Sequence, residues 1–322
     1  GGPLSRMLVA CGLVLIAGAA AHKSASHHPD ADQLLVMATM RSDADSVREL
    51  LEMGVSADVV SEAGVTVLMM ASMMGHLEVA QQLLKGGADI DRADDHGNRP
   101  LTLAASQGKI AIVRMLLEAG AFVEALNEQG LSALMVSVLE SQPGAARVLV
   151  EVGGASVSLT DHAGNQPLAI AAHRGDPDLT RVLLLGGAQT EARNRDGLTA
   201  LMVAATVVQE DDAASLGQLA VVRLLLAARA SIDAQDARGS TALMMASAAG
   251  NSRLVKVLLD GGAMVDVVDD GELSAMEVAL RSNHMDCAAL LREALGGQGS
   301  QRQGSSNIAT SNKVTVKLKE EV

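Results

Sequence analysis

The sequence has almost no aromatic side chains: its 322 residues include one Phe and neither Trp nor Tyr. Its core therefore has to be assembled from Leu, Val, Ala and the 16 Met, whose flexible side chains adapt to irregular spaces. Such a core is workable when it is divided among many thin layers that each contribute small contacts.

Cysteine is also scarce. Cys11 lies in an apolar N-terminal segment, and Cys287 is left without an intrachain partner if that segment is removed. We expect Cys287 to be a buried free thiol that packs as a small hydrophobe. The alternative, a reactive thiol, needs an exposed cationic setting that the neighbouring Asp286 and Ala288 do not suggest.

Positive charge is in deficit, with a formal net charge of -13 at pH 7. A nucleic-acid partner would call for a basic stripe, so the composition argues against one. The chain also has no phosphate-binding Gly-x-x-x-x-Gly-Lys motif, no H-E-x-x-H, no cysteines at zinc spacing and no Gly-x-Ser-x-Gly. His96 and His162 each follow an aspartate, but these pairs lie two repeats apart without a pocket. The sequence predicts no enzyme, no cofactor and no small-molecule substrate.

What the sequence does contain is a period of about 33 residues. The stretch from Gly97 to Gly120 reads as two short helices and a turn, and versions of it recur at intervals of 33, 33, 34, 33, 42 and 32 residues. Neither helix can bury its apolar face alone, so that face must lie against the next copy. The glycines that open the copies are Gly64, Gly97, Gly130, Gly164, Gly197, Gly239 and Gly271.

Two strings within the period carry a family resemblance. Around Pro100 the chain reads R-P-L-T-L-A-A, and after Ala71 it reads S-M-M-G-H-L-E-V-A-Q-Q-L-L-K-G-G-A-D. Both resemble the ankyrin repeat, whose first helix opens T-P-L-H-x-A. The resemblance implies an all-α fold, an ankyrin-repeat α-solenoid of about eight stacked helix-turn-helix repeats with short β-hairpin tips. The expected domain covers 31–295, with repeats near 31–61, 62–94, 95–127, 128–161, 162–194, 195–236, 237–268 and 269–295.

Some copies depart from the family pattern. Met69 stands where the family has His, and S-A-L-M or T-A-L-M repeats this change in later copies. We expect Met to offer only packing there. Copy six carries nine extra residues, Val208 to Leu216, which we expect to form a loop between its two helices. That loop is either a tolerated surface insertion or an acidic contact site.

The two ends of the chain are expected to lie outside the repeats. Arg6 precedes an apolar run from Met7 to Ala21, which predicts a signal peptide over 1–21 and hence a secreted or periplasmic protein. An uncleaved membrane anchor and a cytoplasmic location are the alternatives. Residues 22–30 are expected to be a polar linker, and 296–322 a disordered tail.

The resemblance also implies a function, which is a monomeric, non-catalytic scaffold that binds another protein on its concave face. The apolar and acidic N-terminal copies suggest an apolar partner segment, and the arginines of copies five to seven suggest an acidic one. An alternative is a copper- or zinc-binding accessory protein that uses His22, His27 and His28. The candidate partner-binding residues are Val60, Glu62, Val65, Met73, Asp95, His96, Asn98, Gln107, Leu126, Glu128, Leu131, Leu139, Thr160, His162, Asn165, Arg174, Arg193, Arg195, Asp196, Leu198, Gln235, Arg238 and Ser240.

Overall fold

The computed structural model describes residues 29–207 and 212–301. These ranges contain sixteen α-helices that follow one another as eight pairs, so the all-α prediction is confirmed. The first helices of the pairs are α1 (Pro29–Met40), α3 (Val67–Met74), α5 (Pro100–Ser106), α7 (Ala133–Leu139), α9 (Pro167–Arg174), α11 (Ala200–Ala205), α13 (Ala242–Ala248) and α15 (Ala275–Arg281). The second helices are α2 (Ala44–Glu52), α4 (Leu77–Lys85), α6 (Ile110–Glu118), α8 (Pro143–Glu151), α10 (Pro177–Leu185), α12 (Asp212–Ala227), α14 (Ser252–Asp260) and α16 (Met285–Gln301).

The chain divides into two compact units. Unit 1 extends to Ile170 and includes Arg181–Ala188, and unit 2 holds Ala171–Thr180 and the chain from Gln189 onward. Within unit 1 the first helices α1, α3, α5 and α7 pack in succession, and so do the second helices α2, α4, α6 and α8. Within unit 2 the same holds for α11, α13 and α15 and for α12, α14 and α16.

A leucine at one position of each second helix forms the centre of the packing. In unit 1 Leu83, Leu116 and Leu149 are fully buried, and in unit 2 Leu225, Leu258 and Leu291 are as well. Burying one leucine side chain contributes about 2 kcal/mol relative to leaving it in water. Because each helix has only a few such residues, stability comes from the stacking of copies rather than from any single one.

The first copy has one face buried against the stack and one face in solvent, as a terminal repeat requires. Leu35 and Val47 are fully buried against the stack. Arg48 and Asp45, on the solvent side of α2, form an ion pair at 2.8 Å. Helix α1 begins at Pro29, two residues before the predicted start of the domain.

Three expectations about the second half of the chain need correction. Helix α12 begins at Asp212, so residues 212–216 of the predicted loop are helical, while 208–211 lie outside the described residues. Helix α16 continues to Gln301, so the predicted tail is helical over 296–301. In copy eight the left-handed residue is Glu272 (φ 59°) and not Gly271, which restores the interval to 33 residues, since 272 − 239 = 33.

Three of the methionines that replace the family's histidine do more than pack. Thr66 caps α3 by accepting the backbone N–H of Met69 at 3.1 Å, and the Met69 sulfur accepts the N–H of Thr66 at 3.4 Å. The pairs Thr199–Met202 and Thr241–Met244 repeat this arrangement. Thioether sulfur is a weak acceptor, but it gives a buried donor a partner. The expectation that Met would offer packing alone is therefore wrong at these three caps.

In the described part of the chain, no helix combines the length and the hydropathy that a bilayer span requires.

Candidate functional site

Copies two to eight begin with a tight loop, here called the tip, that precedes the first helix. In copies three to eight an Asp or Asn side chain within the tip accepts two backbone N–H groups, two and four residues further on. In copy two Ser61 occupies this position, and its hydroxyl accepts one N–H group, that of Val65 at 3.3 Å. Asp94 Oδ1 accepts those of His96 at 2.9 Å and Asn98 at 2.8 Å, and Asp236 Oδ1 does the same for Arg238 and Ser240. Asp and Asn are favoured in such turns because their side chains accept nearby backbone N–H groups. The tip backbone is therefore held by one recurring side chain.

The same loop turns on a residue with positive φ, which is glycine in six copies. At Gly97 (φ 75°) an added Cβ would lie 3.0 Å from the backbone nitrogen of Glu128, so both conformation and space favour glycine. The expected β-hairpins are shorter than predicted. Two isolated antiparallel bridges, Val60 with Thr66 and Val268 with Ser274, are the β-structure recorded in the described ranges.

Neighbouring tips are joined by backbone hydrogen bonds within each unit. In unit 1 the N–H of Asp95 donates to the carbonyl of Ala63 at 3.2 Å, and that of Glu128 donates to His96 at 3.0 Å. In unit 2 the N–H of Asp270 donates to Arg238 at 2.9 Å. These bonds fix the order and spacing of the side chains that the tips present.

The side chains one and two residues before the tip glycine are exposed, except that of Ala63, which is half-buried. These include Asp95 and His96 in copy three and Arg195 and Asp196 in copy six. Among the 23 sequence-predicted residues, the structure leaves these thirteen exposed: Glu62, Asp95, His96, Leu126, Glu128, Thr160, His162, Arg174, Arg193, Arg195, Asp196, Gln235 and Arg238.

Residues directly after the tip glycine are less accessible than expected. Val65, Asn98 and Leu131 occupy this position in unit 1 and are 9%, 4% and 6% exposed. They lie just before the first helix, beneath the tip, where Asn98 Oδ1 accepts a hydrogen bond from Asn127 Nδ2 at 3.1 Å. These three leave too little side chain for a partner to contact. Asn165, Leu198 and Ser240, at the same position of later copies, are half-buried.

The four candidate binding residues at the first helices do not all occupy the same position of the repeat. Measured from the left-handed residue of the following turn, Met73 and Leu139 lie two residues before it, whereas Gln107 and Arg174 lie one residue before it. All four lie at the end of a first helix, with Arg174 exposed and the other three half-buried. Alignment of the repeats by sequence did not reveal this shift, because the first helices end at different points of the repeat.

Two of the predicted binding residues in unit 2 also hold the tips together. Arg193 Nη1 donates to the carbonyl of Gly197 at 2.8 Å and to that of Gln235 at 2.6 Å. Gln235 Nε2 in turn donates to Gly239 at 2.8 Å and to Val268 at 3.2 Å. Both side chains are exposed, but their polar atoms have backbone partners. A partner would therefore meet Arg195 and Arg238 more readily than Arg193.

Sequence reasoning missed two residues, Val36 and Ala63, of an apolar surface at the N-terminal copies. Val36 and Ala63 are half-buried and, together with Met73, pack against a buried cluster. The cluster consists of Val65, Met69, Met70 and Leu103. Val36 was missed because copy one departs from the repeat pattern. The feature that could have identified it is its position in α1, directly after the buried Leu35.

The comparisons with known proteins decide the family. A family model described as ankyrin repeats, three copies, matches residues 10–94, 87–161, 134–212 and 211–301. The chain belongs to the ankyrin repeat family. The crystal structure of the human ASB11 ankyrin repeat domain is similar to this chain, with a TM-score of 0.61 and 26% sequence identity. That match covers 71% of this chain and 98% of the human one. None of the curated proteins that were compared matches the sequence.

The ankyrin tips carry several titratable groups, among them Asp95, His96 and His162. In those ranges, no group of three or more His, Cys, Asp or Glu is placed to hold a metal ion. The alternative metal ligands His22, His27 and His28 lie outside the described residues.

Cys287 belongs to the ankyrin core. It is fully buried in α16, and desolvation by burial, followed by the nearby Asp286 carboxylate, raises the pKa of its thiol. The expectation of a buried, hydrophobic thiol is confirmed.

Proposed function

We propose that this chain is a non-catalytic scaffold that binds a partner protein through its tips and the exposed ends of its first helices. Ankyrin repeats are generally protein–protein interaction modules and are typically non-catalytic. The observation that carries the finer proposal is the contrast within each tip. In copies three to eight the tip backbone is fixed by a recurring Asp or Asn, while the exposed side chains beside it differ from copy to copy. A rigid backbone with variable side chains suits selective recognition.

In this proposal the chain is a monomer, and exposed side chains that core packing does not constrain determine which partner it binds. At the position two residues before the tip turn, these are Glu62, Asp95, Glu128, His162 and Arg195. Second helices, by contrast, repeat the buried leucines and expose residues such as Glu78 and Glu118. We therefore expect a partner to contact the tips rather than the second helices.

Site-directed photo-crosslinking tests this directly. A photoreactive amino acid is placed, one position at a time, at the tip residues Glu62, Glu128 and Arg238 of the full chain. Matched positions on exposed second-helix surfaces are Glu78, Glu118 and Lys256. After irradiation in cells that make the protein, we expect the same discrete adduct from at least two tip positions and no such adduct from the second helices. Adducts from second-helix positions alone would overturn the proposal.

We also propose that the chain enters the secretory pathway. The support is the sequence alone, namely the apolar run from Met7 to Ala21 that ends in Ala19 and Ala21. N-terminal sequencing of the protein made by its own cells tests it. A mature chain that begins at His22 supports export, and a chain that retains residues 7–21 contradicts it.

A further inference from the structure

Three exposed carboxylates occupy the tips of copies two to four. Glu62, Asp95 and Glu128 each lie two residues before the tip glycine. None of them forms an ion pair with another residue of the described chain. Copies five to seven have His162, Arg195 and Ala237 at this position, so the run of adjacent acids is confined to copies two to four. In copy eight the equivalent residue, two before Glu272, is Asp270, which has no acidic neighbour at this position in copy seven. We call Glu62, Asp95 and Glu128 the acidic row.

The spacing of the acidic row is set by the fold. The backbone N–H groups of Asp95 and Glu128 each donate to the preceding tip, at Ala63 and His96. The first helices that follow these tips, α3, α5 and α7, pack side by side within unit 1. Packed helices lie about 8–10 Å apart, so successive carboxylates of the row are separated by about that distance.

An apolar surface adjoins the acidic row. Val36, Ala63 and Met73 are half-buried and pack against the buried cluster that contains Met69 and Met70. We call Val36, Ala63 and Met73 the apolar patch. Ala63 directly follows Glu62, and its carbonyl accepts the N–H of Asp95 at 3.2 Å, so the patch and the row share one tip.

We propose that the acidic row and the apolar patch together bind a protein segment that folds as an amphipathic helix with a basic edge. The inference rests on the proposed function and names the chemistry of the partner. Lys or Arg residues that are placed on every second turn of a helix are about 11 Å apart, which is close to the distance of about 8–10 Å between successive carboxylates of the acidic row. Apolar side chains next to that basic edge reach the patch, where methionine side chains adapt to different shapes. Unpaired carboxylates gain most from a cationic partner and repel an acidic one.

A designed peptide is the probe. It is a fluorescent helical peptide about 20 residues long, with lysine on every second turn and leucine beside it. One control peptide replaces each lysine by glutamine, and another replaces each leucine by glutamine. Binding to the full chain is followed by fluorescence anisotropy at low and at high salt. We expect only the peptide with both features to bind, and we expect salt to weaken its binding because the carboxylates are exposed.

The protein variants separate the row from the net charge of the chain. E62Q, D95N and E128Q are combined in one variant. The matched control combines E49Q, E118Q and E151Q, which are exposed acids on the second helices α2, α6 and α8 of the same unit. Both variants remove three negative charges. We expect the row variant to lower the affinity about tenfold and the control to change it by less than about twofold.

Two results would overturn the inference. An equal loss in both triple variants would mean that the peptide follows overall charge, and no loss in either would mean that the row is not used. Circular dichroism melts of both variants check that each is folded. The crosslinking experiment has an independent outcome, since tip adducts whose yield is unaffected by the row variant would leave the proposed function standing while this inference fails.

The apolar patch has its own test. M73Q is compared with M53Q, because Met53 is 72% exposed at the end of α2, away from the patch. We expect M73Q to weaken peptide binding several-fold and M53Q to leave it unchanged. If M73Q does not fold, the role of the patch is tested on the native chain by comparing the designed peptide with the control peptide that lacks leucine. Equal binding of both peptides would contradict the role of the patch.

Discussion

The side-chain nitrogen of Gln218 lies 2.7 Å from the carbonyl oxygen of Ala204 and donates a hydrogen bond to it. The same nitrogen donates to Ala172 at 2.8 Å. In copy seven the corresponding carbonyl, that of Ala246, is bound instead by a backbone N–H, that of Asn251, at 3.0 Å. The six remaining copies use a backbone N–H in the same way, with carbonyls at Ala38, Ala71, Ala104, Ser137, Ala171 and Ala279.

The use of a side-chain donor in place of a backbone donor explains how copy six tolerates nine extra residues. Gly217 corresponds to the left-handed glycines Gly175 and Gly250, but here it lies inside α12 and does not form a turn. Among the described residues, no backbone N–H is recorded as a donor to the Ala204 carbonyl. The Gln218 side chain, fully buried, makes that bond from within the helix.

Replacing Gln218 should therefore cost more than replacing an ordinary glutamine. Q218M keeps the approximate volume but removes the donor and leaves the Ala204 carbonyl without it. We expect the free energy of unfolding to fall by about 2 kcal/mol. The matched control is Q189A at an exposed site of the same unit, for which we expect a change below about 0.5 kcal/mol. Urea denaturation measures both, and equal effects would contradict the role given to Gln218.

The helix cap at Thr66 predicts that one substitution, M69H, will stabilise the protein. M69H replaces a weak sulfur acceptor with an imidazole nitrogen, which is the residue type that the family pattern has at this position. Because the Thr66 N–H is buried, we expect the free energy of unfolding to rise by about 1 kcal/mol. M70H, one residue later, buries a polar ring with no known donor and should destabilise. Denaturation curves that show both variants losing stability would rule out the sulfur as a hydrogen-bond partner.

Glu277, which caps the N-terminus of α15 together with Ser274, predicts a pH dependence of stability. The backbone N–H of Ser274, and then its hydroxyl, donate to the Glu277 carboxylate at 2.7 and 2.9 Å and lower its pKa. A lowered folded-state pKa means that this contribution is fully present above the ordinary value of 4.5 and is lost as pH falls through the folded value.

The measurement compares E277Q with the native chain. We expect the native chain to have the higher Tm near neutral pH, and the gap to close as pH falls below about 4.5. E293Q, an exposed glutamate in α16 with no recorded hydrogen bond, is the control and should show a constant gap. A gap for E277Q that does not change with pH would contradict the cap.

Arg193 offers a test of the unit 2 tips. R193A removes the two hydrogen bonds to Gly197 and Gln235, and we expect a loss of about 1 kcal/mol because the site is exposed. R195A, two residues on, has no such recorded bonds and should be nearly neutral. Thermal unfolding of the two variants distinguishes them. Equal stability would mean that Arg193 is available to a partner after all.

Much of the fold follows from the sequence because the period is strong. The glycine interval placed the tips, and the leucine pairs placed the second helices, since neither depends on distant residues. What periodicity could not show were contacts made by particular side chains. Gln218 acts through a contact found in one copy, the Met69 sulfur acts through a geometry that residue type does not reveal, and Glu272 takes a turn position that a neighbouring glycine seemed to fill.

The binding surface was harder to predict than the fold. Exposure beside the tip glycine depends on which way one residue points, and Val65, Asn98 and Leu131 point beneath the tip. Val36 joins the surface only because α1 packs against α3, which a degenerate first copy does not disclose.

Hydrogen exchange on the full chain, with and without the lysine- and leucine-bearing peptide, tests the central claim most directly. If the tips and first helices of unit 1 form the binding surface, peptide binding slows exchange in residues 61–74, 94–99 and 127–132. The second helices α4, α6 and α8 should exchange as before. Protection confined to those second helices, with the tips unchanged, would contradict the account.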